Sequence, residues 1–314
     1  MSWHRPKPRK SVTLVEAGLP VPDRKTVPDV PVDLIESYDD DLAPILPVIR
    51  VLAKAHKTGR KDWYAPGSNA HPQKMYVEVV QSLLERYAPV EPGRPPLVIV
   101  DPFCGIGTTL VEAMRKGHEA IGIELEPSWV AYARENTELS ARRLGVQPAK
   151  VVYGDSTKIG KGLDFPYVFD LILTSPPFGP TAHSAGDSDL QRHLFKTKSL
   201  TQGQSLGSSP GQLGDCKQFT YPVFIQKVSD TFEALKGSLG HEGYTLVHCR
   251  RYIRKKAVVE IDKDIRTVLV ALGFGYLGCH PIPVRPTFFR EMYYKKTPEA
   301  PRIKWEYVLV FQNP

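Results

Sequence analysis

Ser175, Pro176, Pro177 and Phe178 place a hydroxyl, a rigid carbonyl and an aromatic ring at consecutive positions, directly after the apolar run Phe169 to Leu173. Each proline fixes its own φ, lacks an N–H and biases the residue before it toward extended backbone, so the carbonyls of Ser175 and Pro176 point away from a sheet ladder. Acceptors side by side with a ring can hold an exocyclic amine by taking its hydrogens, and can stack on the ring that carries it. Pro-Pro is also ordinary punctuation after a strand, and alone the tetrapeptide leaves both readings open.

A second motif narrows the chemistry. The β-branched run Leu97 to Val100 leads into Asp101-Pro102-Phe103-Cys104-Gly105-Ile106-Gly107-Thr108-Thr109 and then into the helix formers Leu110 to Met114. Strand, glycine loop, helix is a ligand-binding arrangement: Gly105 and Gly107 allow close approach of the backbone, and the helix start offers unpaired N–H groups. Leu110 stands where a dinucleotide fingerprint needs its third glycine, and no Gly-Lys-Ser/Thr follows, which excludes a P-loop. A short loop opening on Asp101 suits a ligand with an amino group and no phosphate, a description S-adenosylmethionine meets.

Together the two motifs resemble the amino-methyltransferases of nucleic acid, in particular the site-specific DNA N4-cytosine methyltransferases. The resemblance implies that residues 101–109 bind S-adenosylmethionine, with Asp101, Pro102, Phe103, Cys104, Gly105, Gly107, Thr108 and Thr109 in the cofactor set, and that Ser175, Pro176, Pro177 and Phe178 hold the target amine. Phe178 replaces the usual tyrosine, keeping the stacking face without the hydroxyl. Ser175 favours cytosine, since adenine-N6 relatives tend to carry Asp or Asn there. Cys104 also reads as a small packing residue.

Other positions follow in order. Glu119 to Glu124 is a strand ending in an acid about 20 residues beyond the glycine loop, where a carboxylate can accept both ribose hydroxyls, with Leu125 beside it. Lys150 to Ser156 is a third strand whose Asp155, flanked by Ser156, can accept an adenine amino group. Either acid alone reads equally as a solvated strand end or a helix cap, and spacing from the loop is what singles them out. Upstream, His71-Pro72-Gln73-Lys74 opens a helix with Met75, Val79, Leu83 and Tyr87 at near-helical spacing. In the resembled family a His-Pro-x-Lys element completes the pocket at the methionine end, which makes His71 and Lys74 cofactor candidates; an ordinary helix start is the alternative.

The elements that position these residues form an α/β sequence. Helices are expected from Pro127 to Leu144, Phe219 to Lys236 and Ile261 to Leu272, a fifth strand from Tyr244 to His248, and last strands from Tyr276 to Val284 and Trp305 to Phe311. The fold class is therefore Rossmann-like, the class I methyltransferase fold implied by the resemblance: a mostly parallel seven-stranded sheet, helices on both faces and an antiparallel edge hairpin. Residues 61–314 are expected to be the catalytic domain after a basic, proline-rich extension over 1–60 that contains His4 to Lys10. A Gly/Ser/Thr/Gln-rich stretch over 179–218 reads as a lid or target-recognition loop bordering the reaction centre, with a low-complexity linker as the alternative.

Net charge is +7. The excess is local: Arg250, Arg251, Arg254, Lys255 and Lys256 follow the fifth strand, and residues 276–303 form a basic loop in which Arg285, Arg290, Lys295, Lys296 and Arg302 alternate with Phe288, Phe289, Tyr293 and Tyr294. Basic groups neutralise phosphates and rings stack on bases, so the clusters point to nucleic acid. The four cysteines, at 104, 216, 249 and 279, lack C-x-x-C spacing, which argues against a disulfide framework and a zinc site. His248-Cys249 does not make a nucleophilic dyad, because neighbours on a strand face opposite ways. Without a long apolar run or signal-peptide pattern, a soluble, cytoplasmic enzyme is expected. The expected reaction is methylation of the N4 amine of a cytosine flipped out of double-stranded DNA, with a cognate restriction endonuclease as a candidate partner. RNA base amino-methylation and adenine-N6 methylation of DNA are the alternatives.

Overall fold

Apolar runs too short for helices, bounded by glycine, proline or acids, become the strands of one seven-stranded sheet. The computed structural model describes residues 40–49, 62–71, 74–179, 207, 209–214, 218–254, 257–284, 294–295 and 297–313. Strands in chain order are β1 (Val98–Asp101), β2 (Glu119–Glu124), β3 (Lys150–Tyr153), β4 (Phe169–Thr174), β5 (Leu239–Cys249), β6 (Tyr252–Arg254), β7 (Ala257–Val259), β8 (Gly275–Pro283) and β9 (Trp305–Gln312). The sheet order is β3-β2-β1-β4-β5-β9-β8. Neighbours from β3 to β5 are parallel, and β9 and β8 close the edge antiparallel. A small separate ribbon pairs β6 with β7.

Helices α1 (Val77–Tyr87), α2 (Thr108–Arg115) and α3 (Pro127–Leu144) cover one face; α4 (Tyr221–Lys236) and α5 (Ile261–Ala271) cover the other. The strands feed both sides by their two-residue period. Ile99, Leu171, Leu173, Leu246, Val308 and Val310 meet α1 to α3, whereas Val100, Ile172, Val247, Leu309 and Phe311 meet α4 and α5. On α4 the fully buried Phe224 and Phe232 each contribute about 1.5–3 kcal/mol of burial. Helix α3 starts with Pro127 in its first turn and ends at Gly145, whose φ of 69° is the left-handed stop.

Three departures from the sequence reading have physical causes. Strand β5 begins at Leu239, before Tyr244: the register shifts between Phe169 and Leu171 and Glu242 takes a φ of 60°, so a bulge carries pairing through glycines that disguise a strand. Residues 44–49, counted in the extension, lie along β8. Leu46 N–H donates to the Cys279 carbonyl at 2.8 Å, Cys279 N–H to the Pro44 carbonyl at 3.0 Å and Ile49 N–H to the Pro281 carbonyl at 3.0 Å, which covers a sheet edge. Lastly, of residues 276–284, expected both as a strand and as the start of the basic loop, the strand reading holds as far as Pro283.

Several expectations fall outside the described residues: the basic segment His4 to Lys10, most of the 179–218 loop with Cys216, Lys255 and Lys256, and Arg285, Phe288, Phe289, Arg290, Tyr293 and Lys296. Among the described residues no helix is long and apolar enough to cross a membrane, and no group of three or more His, Cys, Asp or Glu is placed to hold a metal.

Candidate active site

Strand β1 has β2 on one side and β4 on the other, so the connections leave it in opposite directions and a crevice opens at the carboxyl ends of the strands. The glycine loop leaves the end of β1 and the Ser-Pro-Pro-Phe turn leaves the end of β4, so both chemical motifs open there. Asp101, the last residue of β1, ties them together. Its Oδ1 accepts from Thr174 Oγ1 at 2.6 Å and from Phe103 N–H at 3.1 Å, and its Oδ2 accepts from Thr109 Oγ1 at 2.7 Å. Burial pushes Asp101 up to about 6, against the pull of the Thr174 and Thr109 hydroxyls. Thr109 is fully buried and its hydroxyl serves this clasp.

Above the clasp lies an open cleft, lined by Pro102, Phe103, Gly105, Glu124, Leu125, Asp155, Ser156, Ser175 and Pro177 among others. A smaller neighbouring cavity is lined by Lys74, Asp101, Cys104, Gly105, Thr108 and Ser175. Gly105, with φ of 53°, and Gly107, with φ of 78° at the start of α2, are left-handed. A Cβ on Gly105 would stand 3.1 Å from His71 Nε2, so the loop needs glycine to pass beneath His71. Glu124 closes the loop from the end of β2: its Oε2 accepts from Gly105 N–H at 2.9 Å and its Oε1 from Glu126 N–H at 2.8 Å. Burial pushes Glu124 up to about 7, while the Glu126 and Gly105 N–H groups favour its charged form. Asp155 Oδ1 caps a 3-10 turn by accepting from Thr157 N–H at 2.9 Å and Thr157 Oγ1 at 2.8 Å, so part of its capacity is spent on local structure.

The upstream wall is held by a buried relay of amides. Asn136 on α3 accepts from Ala65 N–H at 2.6 Å and donates to the Ile106 carbonyl at 2.8 Å, tying residues 62–71 to the glycine loop. That fixes His71, whose ring meets Trp129 edge-on at 4.7 Å, and both rings line the cleft. Lys74 donates to the His71 carbonyl at 2.7 Å. On the opposite side Glu126 holds the described end of the long loop: its Oε1 accepts from Ser209 N–H at 2.9 Å and Gln212 Nε2 at 3.1 Å, and its Oε2 from Ser209 Oγ at 2.8 Å. Gly211, Gln212 and Leu213 thereby roof the cleft.

At the mouth of β4, Ser175 Oγ lies 3.3 Å from His248 Nδ1 and 3.3 Å from the His248 carbonyl. His248 Nε2 stands 2.8 Å from Glu306 Oε2. Phe178 lies beside this pair. It is 8% exposed, is absent from the cleft lining and packs edge-on against the His248 ring with centroids 6.0 Å apart, so its visible task is to hold that ring. Gly179 follows with φ of 116°, where a Cβ would reach 2.9 Å from Tyr252 Oη of the β6–β7 ribbon.

Of the candidates, His71, Pro102, Phe103, Gly105, Glu124, Leu125, Asp155, Ser156, Ser175 and Pro177 share the large cleft, and Lys74, Asp101, Cys104 and Thr108 border its neighbour. Gly107 caps α2 behind it. Cys104 packs inward, its Sγ where a Cβ on Gly122 would be only 2.6 Å away, and burial drives its thiol pKa well up. Sequence reasoning missed Trp129, Glu126 and Glu306, and weighed His248 only as a partner of Cys249. For Glu306 a signal existed, a lone carboxylate in the apolar run Trp305 to Phe311. As expected, Cys249 faces away from His248, into the α4–α5 core.

The donor set fits S-adenosylmethionine. Among the described residues no Lys or Arg lines the large cleft, while Glu124 and Asp155 do, an arrangement suited to a hydroxyl-bearing cation without phosphate. A family model described as DNA methylase matches residues 38–135, and one described as RNA cap guanine-N2 methyltransferase matches residues 97–206. The chain is similar to the tRNA (guanine(10)-N2)-dimethyltransferase of Pyrococcus abyssi, 35% identical over 151 residues that make up 47% of this chain and 44% of that protein. Its counterpart in Methanothermobacter thermautotrophicus is 33% identical over 89 residues, 28% of this chain and 24% of that one. The matched part thus spans less than half the length of either relative. TrmN from Thermus thermophilus aligns over 79% of this chain and 52% of that chain, at 15% identity and a TM-score of 0.46. With the strand order, the two loops at the switch point and this donor set, the chain carries the class I methyltransferase fold, with S-adenosylmethionine as its cofactor.

Proposed function

We propose that the chain methylates the exocyclic amine of a base in RNA, with guanine N2 in a structured RNA such as tRNA as the favoured target. The carrying observation is that Ser175 lines the same cleft as Gly105 and Glu124, which brings the amine-holding turn to the cofactor. The choice of RNA is supported by the RNA cap guanine-N2 methyltransferase model, which spans the glycine loop and the Ser-Pro-Pro-Phe turn, and by the tRNA-modifying relatives.

Bound S-adenosylmethionine supplies an activated methyl group on a sulfonium. Glu124 would accept the ribose hydroxyls with the lone pairs its backbone N–H bonds leave over, and Asp155 and Ser156 would take the adenine end. Ser175 Oγ and the Pro176 carbonyl accept from the base amine, drawing the nitrogen lone pair out of conjugation and aiming it at the methyl carbon. His71 and Trp129 close the wall against water.

A second reading is favoured by Ser175 itself and by the DNA methylase model: methylation of cytosine N4 in DNA, under which a restriction endonuclease would be a natural partner. Incubating the purified chain and tritiated S-adenosylmethionine with transcribed tRNA and with unmethylated duplex DNA, followed by nucleoside analysis, separates the two. N2-methylguanosine supports the first, N4-methyldeoxycytidine the second, and label in neither substrate overturns both. Ser175→Ala is expected to lower the transfer rate by about 10²-fold while leaving the cofactor's dissociation constant unchanged.

A further inference from the structure

We propose that His248 and Glu306 form a buried proton relay that acts through Ser175 and takes up the proton released as the bound amine is methylated, an inference resting on the amine-holding role of Ser175 given above. The three residues come from the ends of three adjacent strands. Ser175 directly follows β4, whose Thr174 pairs with Val247; His248 is next to last on β5 and pairs with Val308 of β9, two residues from Glu306, so His248 and Glu306 share the sheet face of Val308. Ser175 Oγ to His248 Nδ1 is 3.3 Å and His248 Nε2 to Glu306 Oε2 is 2.8 Å. His248 is 3% exposed and Glu306 2%, and Arg250 Nε reaches Glu306 Oε1 at 3.2 Å. Burial raises the Glu306 carboxyl, yet the His248 bond and charge together with Arg250 bring it below the usual range.

A buried carboxylate at hydrogen-bond distance requires the proton on Nε2, which leaves the Nδ1 lone pair facing Ser175. The hydroxyl then has two settings. With neutral His248 it donates to Nδ1 and turns its lone pairs to the cleft, ready to accept from an amine. With charged His248 it accepts from Nδ1–H and donates to the His248 carbonyl, 3.3 Å away, which spoils it as an acceptor. In transfer, the amine nitrogen bonds to the methyl carbon as the sulfur–carbon bond breaks, its electron pair staying on sulfur. The nitrogen's surplus proton passes to Ser175 Oγ while the hydroxyl proton moves to Nδ1, and the nitrogen keeps the N–H electron pair. Glu306 stabilises the imidazolium so formed. Once product leaves, the same path returns the proton through Ser175 to water in the cleft. His248 and Glu306 are thus positioning residues that set the state of Ser175.

Among the described residues, Glu306 from β9 meets both the ring and Arg250 from beyond β5, and Tyr76, just before α1, lies in the field of Glu306, Arg250 and Glu78. The rate of the wild-type chain is expected to fall on the acid side. Single-turnover transfer of tritiated methyl to tRNA or duplex DNA across pH tests this, with cofactor binding followed by calorimetry and the free protein's His248 nitrogens by 15N NMR. His248→Gln is expected to lower kcat by about 10²-fold, abolish the acid limb and leave the cofactor's dissociation constant unchanged. Glu306→Gln is expected to move the acid limb to lower pH, and NMR to show protonated Nε2 with bare Nδ1 at the working pH. A His248→Gln chain with the wild-type rate and acid limb overturns the relay alone, as does the opposite tautomer in the wild type. Wild-type protein that labels neither nucleic acid overturns the amine-holding reading and the relay together. Should His248→Gln fail to fold, the Glu306→Gln profile and the wild-type tautomer decide.

Discussion

Glu124 is where a single residue makes the cofactor reading testable by pH. Its carboxyl is pushed up to about 7 by burial, from an ordinary value of 4.5. Between those values the folded chain keeps a proton that the unfolded chain has released, so this group's contribution to stability falls as pH rises through that window. Ribose hydroxyls donating to Glu124 favour the carboxylate. Cofactor affinity is therefore expected to weaken as pH drops through about 7, with protons released on binding, which calorimetry in two buffers of different ionisation enthalpy measures. Glu124→Gln should remove the linkage and weaken binding by about 1.5–3 kcal/mol. An affinity independent of pH in the wild type would contradict it. Glu124 was legible because a strand end is local and its distance from the glycine loop is countable. His248 and Glu306 were not, since 73 residues separate Ser175 from His248 and 58 separate His248 from Glu306, and only strand pairing brings them together. Phe178 was found by its motif, but its packing against His248 was not legible, because that partner on β5 is remote in sequence.

At the scale of elements, the roof over the cleft depends on one acid. Glu126 stands just before α3 and takes three hydrogen bonds from Ser209 and Gln212. Glu126→Ala should release residues 209–214, raising amide exchange at Ser209 and Gln212 and weakening cofactor binding by about tenfold while leaving the fold intact. Unchanged exchange at those amides would show that other contacts hold the roof. The five described helices and the sheet were readable because each carries its own period: α3 was bounded correctly from Pro127 to Leu144, where Gly145 stops it. What escaped was either short or composed against type. The β6–β7 ribbon is three residues a side, and the start of β5 is hidden by glycines.

For the molecule as a whole, two cores of unlike origin meet across the sheet. Helices α1, α2 and α3 pack on one face, α4 and α5 supply the aromatic ballast of Phe224 and Phe232 on the other, and the cleft opens at the carboxyl ends of the strands. The far edge is finished by residues 44–49 against β8, at Gly278, where the Pro44 carbonyl comes too close for any Cβ and φ is 131°. Gly278→Val should detach that segment, lower stability by about 1–3 kcal/mol and raise exchange at the Leu46 and Ile49 amides, with methyl transfer little altered. A stability equal to wild type would mean the edge contact contributes nothing. Sequence composition could not show this, because a chain that reads as an extension declares its docking only through the carbonyl and amide partners of another strand.

The Asp101 clasp also sets the terms for redesign. Thr174 and Thr109 share one carboxylate, so the turn after β4 and the loop after β1 are fastened to each other before any ligand arrives. An exchange of base preference by transplanting another turn must therefore begin at Ser175 and leave Thr174 in place: a graft that carries its own residue 174 would cut the fastening and lose the cofactor along with the old specificity.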